Sequence, residues 1–121
     1  MTLYLLDFRG TLDTLPSPVD YIGALREKHP EGCMIIVVSG TEVPRHVKSA
    51  ADEVWSKDGH FISPLKQLYK DGYREAVFCD DKPIIMRAYN RTLRKIGFSV
   101  TAVHPDDLIT LIPTFSEPKG G

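Results

Sequence analysis

Short apolar runs recur along the chain at residues 3–6, 34–38, 53–55, 76–79 and 100–103, and each ends at or near polar, turn-forming residues. Runs such as Ile35-Ile36-Val37-Val38 are β-branched and do not alternate with polar positions. That pattern predicts strands buried on both faces. Amphipathic stretches separate the runs. Residues 19–28 place Ile22, Leu25 and Arg26 at helical spacing and stop at His29-Pro30, where proline cannot continue a helix. Residues 43–51 predict a second, weaker helix. Ser63-Pro64 predicts the start of a third, with serine as its cap and proline in the first helical position. Residues 84–96 give the clearest helix, with Ile85, Ala88, Tyr89, Leu93 and Ile96 on one stripe and Gly97 as the stop.

A strict alternation of strand and helix implies a parallel sheet with right-handed crossovers and helices on both faces. The expected fold is therefore α/β, a Rossmann-like three-layer sandwich with a five-stranded parallel sheet. Residues 1–112 are expected to form this domain, and 113–121, rich in Pro and Gly, a disordered tail. The 121 residues suit one domain, and a 42% hydrophobic content suits one real core. A net charge of −1 excludes a polyelectrolyte, so any nucleic-acid contact needs a local basic patch. The two cysteines, Cys33 and Cys79, have neither CxxC nor zinc-cluster spacing, which predicts a reduced, cytoplasmic chain. The longest apolar runs fall far short of the roughly 20 residues that span a bilayer, so no membrane contact is expected.

In an open parallel sheet, ligands bind beyond the carboxyl ends of the strands. Three such ends carry candidate chemistry. In Asp7-Phe8-Arg9-Gly10-Thr11-Leu12-Asp13 a carboxylate sits before a glycine turn, where free backbone N–H groups can hold a phosphate. Alone this is also an ordinary strand-to-turn signal. Ser39-Gly40-Thr41 offers a hydroxyl and backbone amides where a helix is expected to begin, which suits an anion but, taken alone, reads first as a plain helix cap. Asp80-Asp81-Lys82 joins two carboxylates that repel unless a cation or strong donors lie near. Hard oxygen ligands of this kind suit Mg²⁺.

Together these residues resemble the haloacid dehalogenase (HAD) superfamily. Asp7-Phe8-Arg9-Gly10-Thr11-Leu12 is similar to its first motif, Asp-x-Asp-Gly-Thr-Leu, Val38-Ser39-Gly40 to its second, and Asp80-Asp81 to its acidic fourth. Residues 35–42 and 80–103 most resemble the 3′-phosphatase half of the phage polynucleotide kinases. The resemblance implies a Mg²⁺-dependent phosphatase acting through an aspartyl-phosphate. Asp7 would be the nucleophile. Asp7, the backbone carbonyl of Arg9 and the carboxylate of Asp81, or in second place Asp80, would hold the metal. Thr11, Ser39 and Gly40 would bind the phosphoryl group, and Lys57, or alternatively Lys66, would neutralise it. The implied partner is a phosphorylated small molecule, a nucleotide or a nucleic-acid phosphate end.

Arg9 departs from the family pattern. The motif's second aspartate is a general acid and base, and an arginine that stays protonated can be neither. Loss of such help commonly costs about 10²–10⁴-fold. The expectation is an impaired phosphatase. The alternative is an inactive phosphate-binding module in which the Arg9 guanidinium grips the anion. The segments 13–34 and 55–63 are too short for a cap domain, so the site would stand open unless an oligomer covers it. Arg87, Arg91, Arg94 and Lys95 on the last helix could track a phosphodiester backbone, although such a stripe is more often a solvated face.

Overall fold

The computed structural model describes residues 1–112; the tail expected over 113–121 lies outside the described residues. Strands and helices alternate as β1 (Thr2–Asp7), α1 (Pro18–Glu27), β2 (Cys33–Ser39), α2 (Arg45–Ala50), β3 (Glu53–Ser56), α3 (Ile62–Lys70), β4 (Glu75–Cys79), α4 (Pro83–Ile96) and β5 (Ser99–Ala102). Two 3₁₀ segments, Leu12–Thr14 and Pro105–Leu111, complete the path. All strand pairs are parallel, in the order β3-β2-β1-β4-β5. The central strand, β1, is buried along its whole length, which is why it reads as one apolar run closed by Asp7.

Side chains alternate across a strand, and β1 divides its own between two cores. Tyr4, Leu6 and Phe8 join Tyr21, Ile22 and Leu25 of α1, Val47 of α2 and Leu108. Leu3 and Leu5 join Leu65 and Leu68 of α3, Leu93 of α4 and Phe98. The fold is thus a Rossmann-like three-layer α/β sandwich with a five-stranded parallel sheet. Helix α1 starts as its residues require: Ser17 Oγ accepts the N–H of Asp20 at 3.2 Å, and Pro18 occupies the first turn.

Two local expectations need correction. Helix α3 begins at Ile62, with Phe61 at the cap position and no side-chain cap. Ser63 lies inside the first turn. On α4, only Leu93 of the expected stripe is fully buried, with Tyr89 and Ile96 packed against the core. Ala88 is exposed and Ile85 half-exposed. Both line a groove of about 460 Å³ between α3 and α4, so these helices cover their face incompletely.

Candidate functional site

The register of the sheet assembles the site. Asp7 pairs with Val38, so Ser39 extends one residue beyond it on β2. Leu6 pairs with Cys79, which sets Asp80 level with Asp7 on β4. Ser39 pairs with Ser56, and the N–H of Lys57 donates to the Ser39 carbonyl at 3.1 Å. Asp7, Ser39, Lys57 and Asp80 therefore meet at one carboxyl edge. Alternation adds a direction. Asp7 shares its side of β1 with Leu3 and Leu5, Lys57 shares its side with Trp55, and Asp80 shares its side with Ala76 and Phe78. All three project toward the α3/α4 face.

One oxygen each from Asp7, Asp80 and Asp81 lie within 4.8 Å of one another, close enough to share a single cation. Asp7 and Asp80 are buried, whereas Asp81 is exposed. Lys57 Nζ lies 2.9 Å from Asp7 Oδ1 and 3.1 Å from Asp80 Oδ2. Those two oxygens nonetheless lack a well-aligned hydrogen bond, so the ammonium compensates them by charge more than by direction. Three carboxylates against one ammonium leave two negative charges unbalanced, an arrangement that favours a further cation. The donor set is all carboxylate oxygen, the kind that suits a hard divalent ion.

Burial, with Asp80 and Asp81 close by, raises the pKa of Asp7 to about 6 in spite of Lys57. Burial works against the charged form of Lys57, but the two carboxylates outweigh it and hold the ammonium more tightly than usual. Burial, reinforced by Asp80 and Asp7, also pushes up the Tyr89 phenol, which lines the α3/α4 groove. The Cys79 thiol, buried next to Asp80, is pushed up to about 12, which suits an inert core residue.

The loop after β1 is built around Gly10. Its φ is +74°, and a Cβ there would come within 2.4 Å of Asp81 Oδ2. Glycine is needed for both reasons, and the contact sets the Asp81 carboxylate against the turn. Thr11, fully buried, donates its hydroxyl to Asp7 Oδ2 at 3.4 Å. The turn's backbone bonds run to the carbonyls of Phe8 and Thr11, leaving the Arg9 carbonyl outside the ladder. The Arg9 side chain is exposed.

The expected cradle of free N–H groups is partly engaged. Gly10 N–H donates to Asp13 Oδ1 at 2.7 Å, Thr11 N–H to the Phe8 carbonyl at 3.3 Å, and Thr41 N–H to Ser39 Oγ at 3.1 Å. Asp13, in the first turn of the 3₁₀ segment, reaches back three residues to satisfy the Gly10 amide. Asp13 stood in the first motif with no role attached, and its spacing of three from Gly10 was the available signal. Asp80 and Asp81 also divide their work more sharply than their adjacency suggests. Asp80 Oδ1 accepts Lys82 N–H at 2.9 Å and Oδ2 faces Lys57. Asp81 makes no ion pair among the described residues. Of the two lysines considered, Lys57 is in the cluster, while Lys66 is exposed on α3. No known family model matches this chain, and no curated protein matches it.

Proposed function

We propose that the chain is a HAD-type, Mg²⁺-dependent phosphomonoester hydrolase, slowed by Arg9. The observation that carries this reading is the convergence of Asp7, Asp80 and Asp81 within 4.8 Å around a buried, undercompensated Asp7, with Lys57 alongside. The clustered carboxylate oxygens fit Mg²⁺ held by Asp7 and Asp81, with the Arg9 carbonyl, outside the turn's hydrogen bonds, as a further oxygen ligand. When bound, the ion would offset charge on the carboxylates and on the phosphoryl oxygens.

An oxygen of Asp7 attacks phosphorus, a new P–O bond forms, and the ester P–O bond breaks. The leaving oxygen departs with a proton drawn from solvent water. Water next attacks the aspartyl-phosphate, releasing phosphate and restoring the carboxylate. Lys57 steadies the negative charge that accumulates beside Asp7. Thr11 and Ser39 offer hydroxyls to the transferring group, and Gly40 leaves room beside the Lys57 stem, whose Cδ would lie 3.9 Å from a Cβ there. Arg9 stays charged and can neither give nor take the proton. Substrates are phosphorylated small molecules or nucleic-acid ends; exposed Arg87, Arg91, Arg94 and Lys95 on α4 support the latter.

Arg9 itself, exposed beside the site and permanently charged, favours a second reading: a module that binds phosphate without cleaving it. Arg9→Asp separates the two. On the hydrolase reading the wild type is slow toward alkyl phosphates and less handicapped toward aryl phosphates, whose oxygen departs without a proton. Arg9→Asp then raises Mg²⁺-dependent hydrolysis of alkyl phosphates by about 10²-fold or more. A variant that stays inert while wild type binds phosphate ligands leaves the binding module standing.

A further inference from the structure

The site has a second half on the same face of the sheet. Asp7, Lys57 and Asp80 all project toward α3 and α4, because they share strand parity with the residues of that core. The groove of about 460 Å³ between these helices has Lys57 as part of its wall. The residue whose ammonium sits 2.9 Å from Asp7 thus also lines the groove, so the carboxylate cluster and the groove share one side chain. Much of the remaining wall is aromatic and aliphatic, with Phe61, Ile62, Ile85, Ala88 and Tyr89, and His60, Ser63 and Thr92 add polar groups. Phe61 and Tyr89 stand with ring centroids 6.1 Å apart at a tilt of 33°. Ile62, on the groove wall, is 55% exposed. A large aliphatic side chain left in water in a concave site marks a place where an apolar group is bound.

We propose that this groove is the subsite for a flat aromatic ring joined by a short apolar tether to the phosphate that Asp7 attacks. The proposal rests on the phosphomonoesterase reading above and narrows its substrate. Charge complementarity orients the ligand: the anionic end goes to Lys57, and the ring goes into a wall that carries little charge. A nucleobase fits this wall poorly. Its donors and acceptors would meet few polar partners beyond the hydroxyls of Ser63, Thr92 and Tyr89 and the His60 ring, and unpaired polar edges are costly to bury. A phenyl ring has no such edges.

The test is titration calorimetry on the full chain at saturating Mg²⁺, with methylphosphonate, 3-phenylpropylphosphonate, 3-phenylpropanol and a nucleoside 5′-monophosphate. The expected result is that 3-phenylpropylphosphonate binds at least ~10-fold more tightly than methylphosphonate, as burial of a ring implies. Two substitutions at exposed Ala88 should each bring that ratio near one: Ala88→Asp places a charge in the groove, and Ala88→Trp fills it while keeping it apolar. Circular dichroism identifies a misfolded variant, and the other then carries the test. Equal affinity for the two phosphonates in wild type would overturn the groove assignment and leave the phosphatase reading intact. Ala88-dependent binding of 3-phenylpropanol, with neither phosphonate bound, would overturn the phosphatase reading and with it the tether. Tighter binding of the nucleotide than of 3-phenylpropylphosphonate would overturn the choice of ring.

Discussion

The two ends of this sheet treat polar side chains in opposite ways. Toward the amino ends, polar side chains find partners. The Tyr4 hydroxyl lies in hydrogen-bond contact with His29 Nε2 at 2.5 Å, and His29 Nδ1 meets the Glu31 carboxylate at 3.1 Å. Asp52 Oδ2 accepts the Ile35 N–H at 2.7 Å and Arg26 at 3.0 Å, while the other arm of Arg26 donates to the Ala50 carbonyl at 2.7 Å. At the carboxyl ends, three carboxylates crowd together with one lysine, and two buried oxygens lack aligned donors. Unsatisfied buried charge is costly. An end that tolerates it is kept for something other than stability, and that is the physical ground for reading the site there.

The sharpest way to break this comparison is Asp7→Asn in metal-free protein. The folded Asp7 has a pKa of about 6, above the ordinary value of 3.8, so the folded state holds its proton more tightly than the unfolded chain. Its contribution is therefore fully favourable below pH ~4 and is lost as pH rises through about 6. At pH 7.5 the substitution should raise stability by on the order of 2 kcal/mol, or roughly 5 °C in Tm or more. The gain should vanish below pH ~4, while any turnover is lost, since an amide is a poor nucleophile. Thermal melts across pH 3.5–8 check the sign. A destabilised variant at pH 7.5 would mean the carboxyl end is satisfied after all.

Next in size is Gly10→Ala. A positive φ combined with a clash on Asp81 should cost about 1–3 kcal/mol. Because the displaced group is Asp81, any stabilisation of the melt by Mg²⁺ on the proposed reading should also be lost. Glycine at 32, also at positive φ but with nothing within 4 Å of a Cβ, is the control: alanine there carries the strain without touching the site.

At the amino end the expected effects are ordinary and downward. Asp52→Ala leaves the Ile35 N–H without its acceptor and should cost about 1–2 kcal/mol in chemical denaturation, discounted because the carboxylate is a third exposed. Tyr4→Phe removes one short hydrogen bond and should cost about 1 kcal/mol, the smallest of the set. Neither should alter Mg²⁺ binding. If either did, the two ends would be coupled, and the division drawn here would fail.

Local rules were enough for the order of elements, the parallel sheet and the carboxyl-edge positions of Asp7, Ser39 and Asp80. Apolar runs closed by polar residues depend only on the neighbouring chain, and every crossover in such a sheet has one hand. The choice between Lys57 and Lys66 was not local. It depended on which side of β3 continues toward Asp7, a matter of strand register and parity across four strands. The division between Asp80, engaged by Lys57 and Lys82, and the uncompensated Asp81 was equally hidden, because adjacent carboxylates look alike until their neighbours are known. The Ser63 cap failed because Phe61, packed against Trp55 and Tyr89, sets where α3 begins. The periodic stripe of α4 foretold a fully covered face; only packing could reveal that α3 leaves Ile85 and Ala88 lining a groove. Periodicity determines which residues share a face, and the separation of helices in space decides what that face meets.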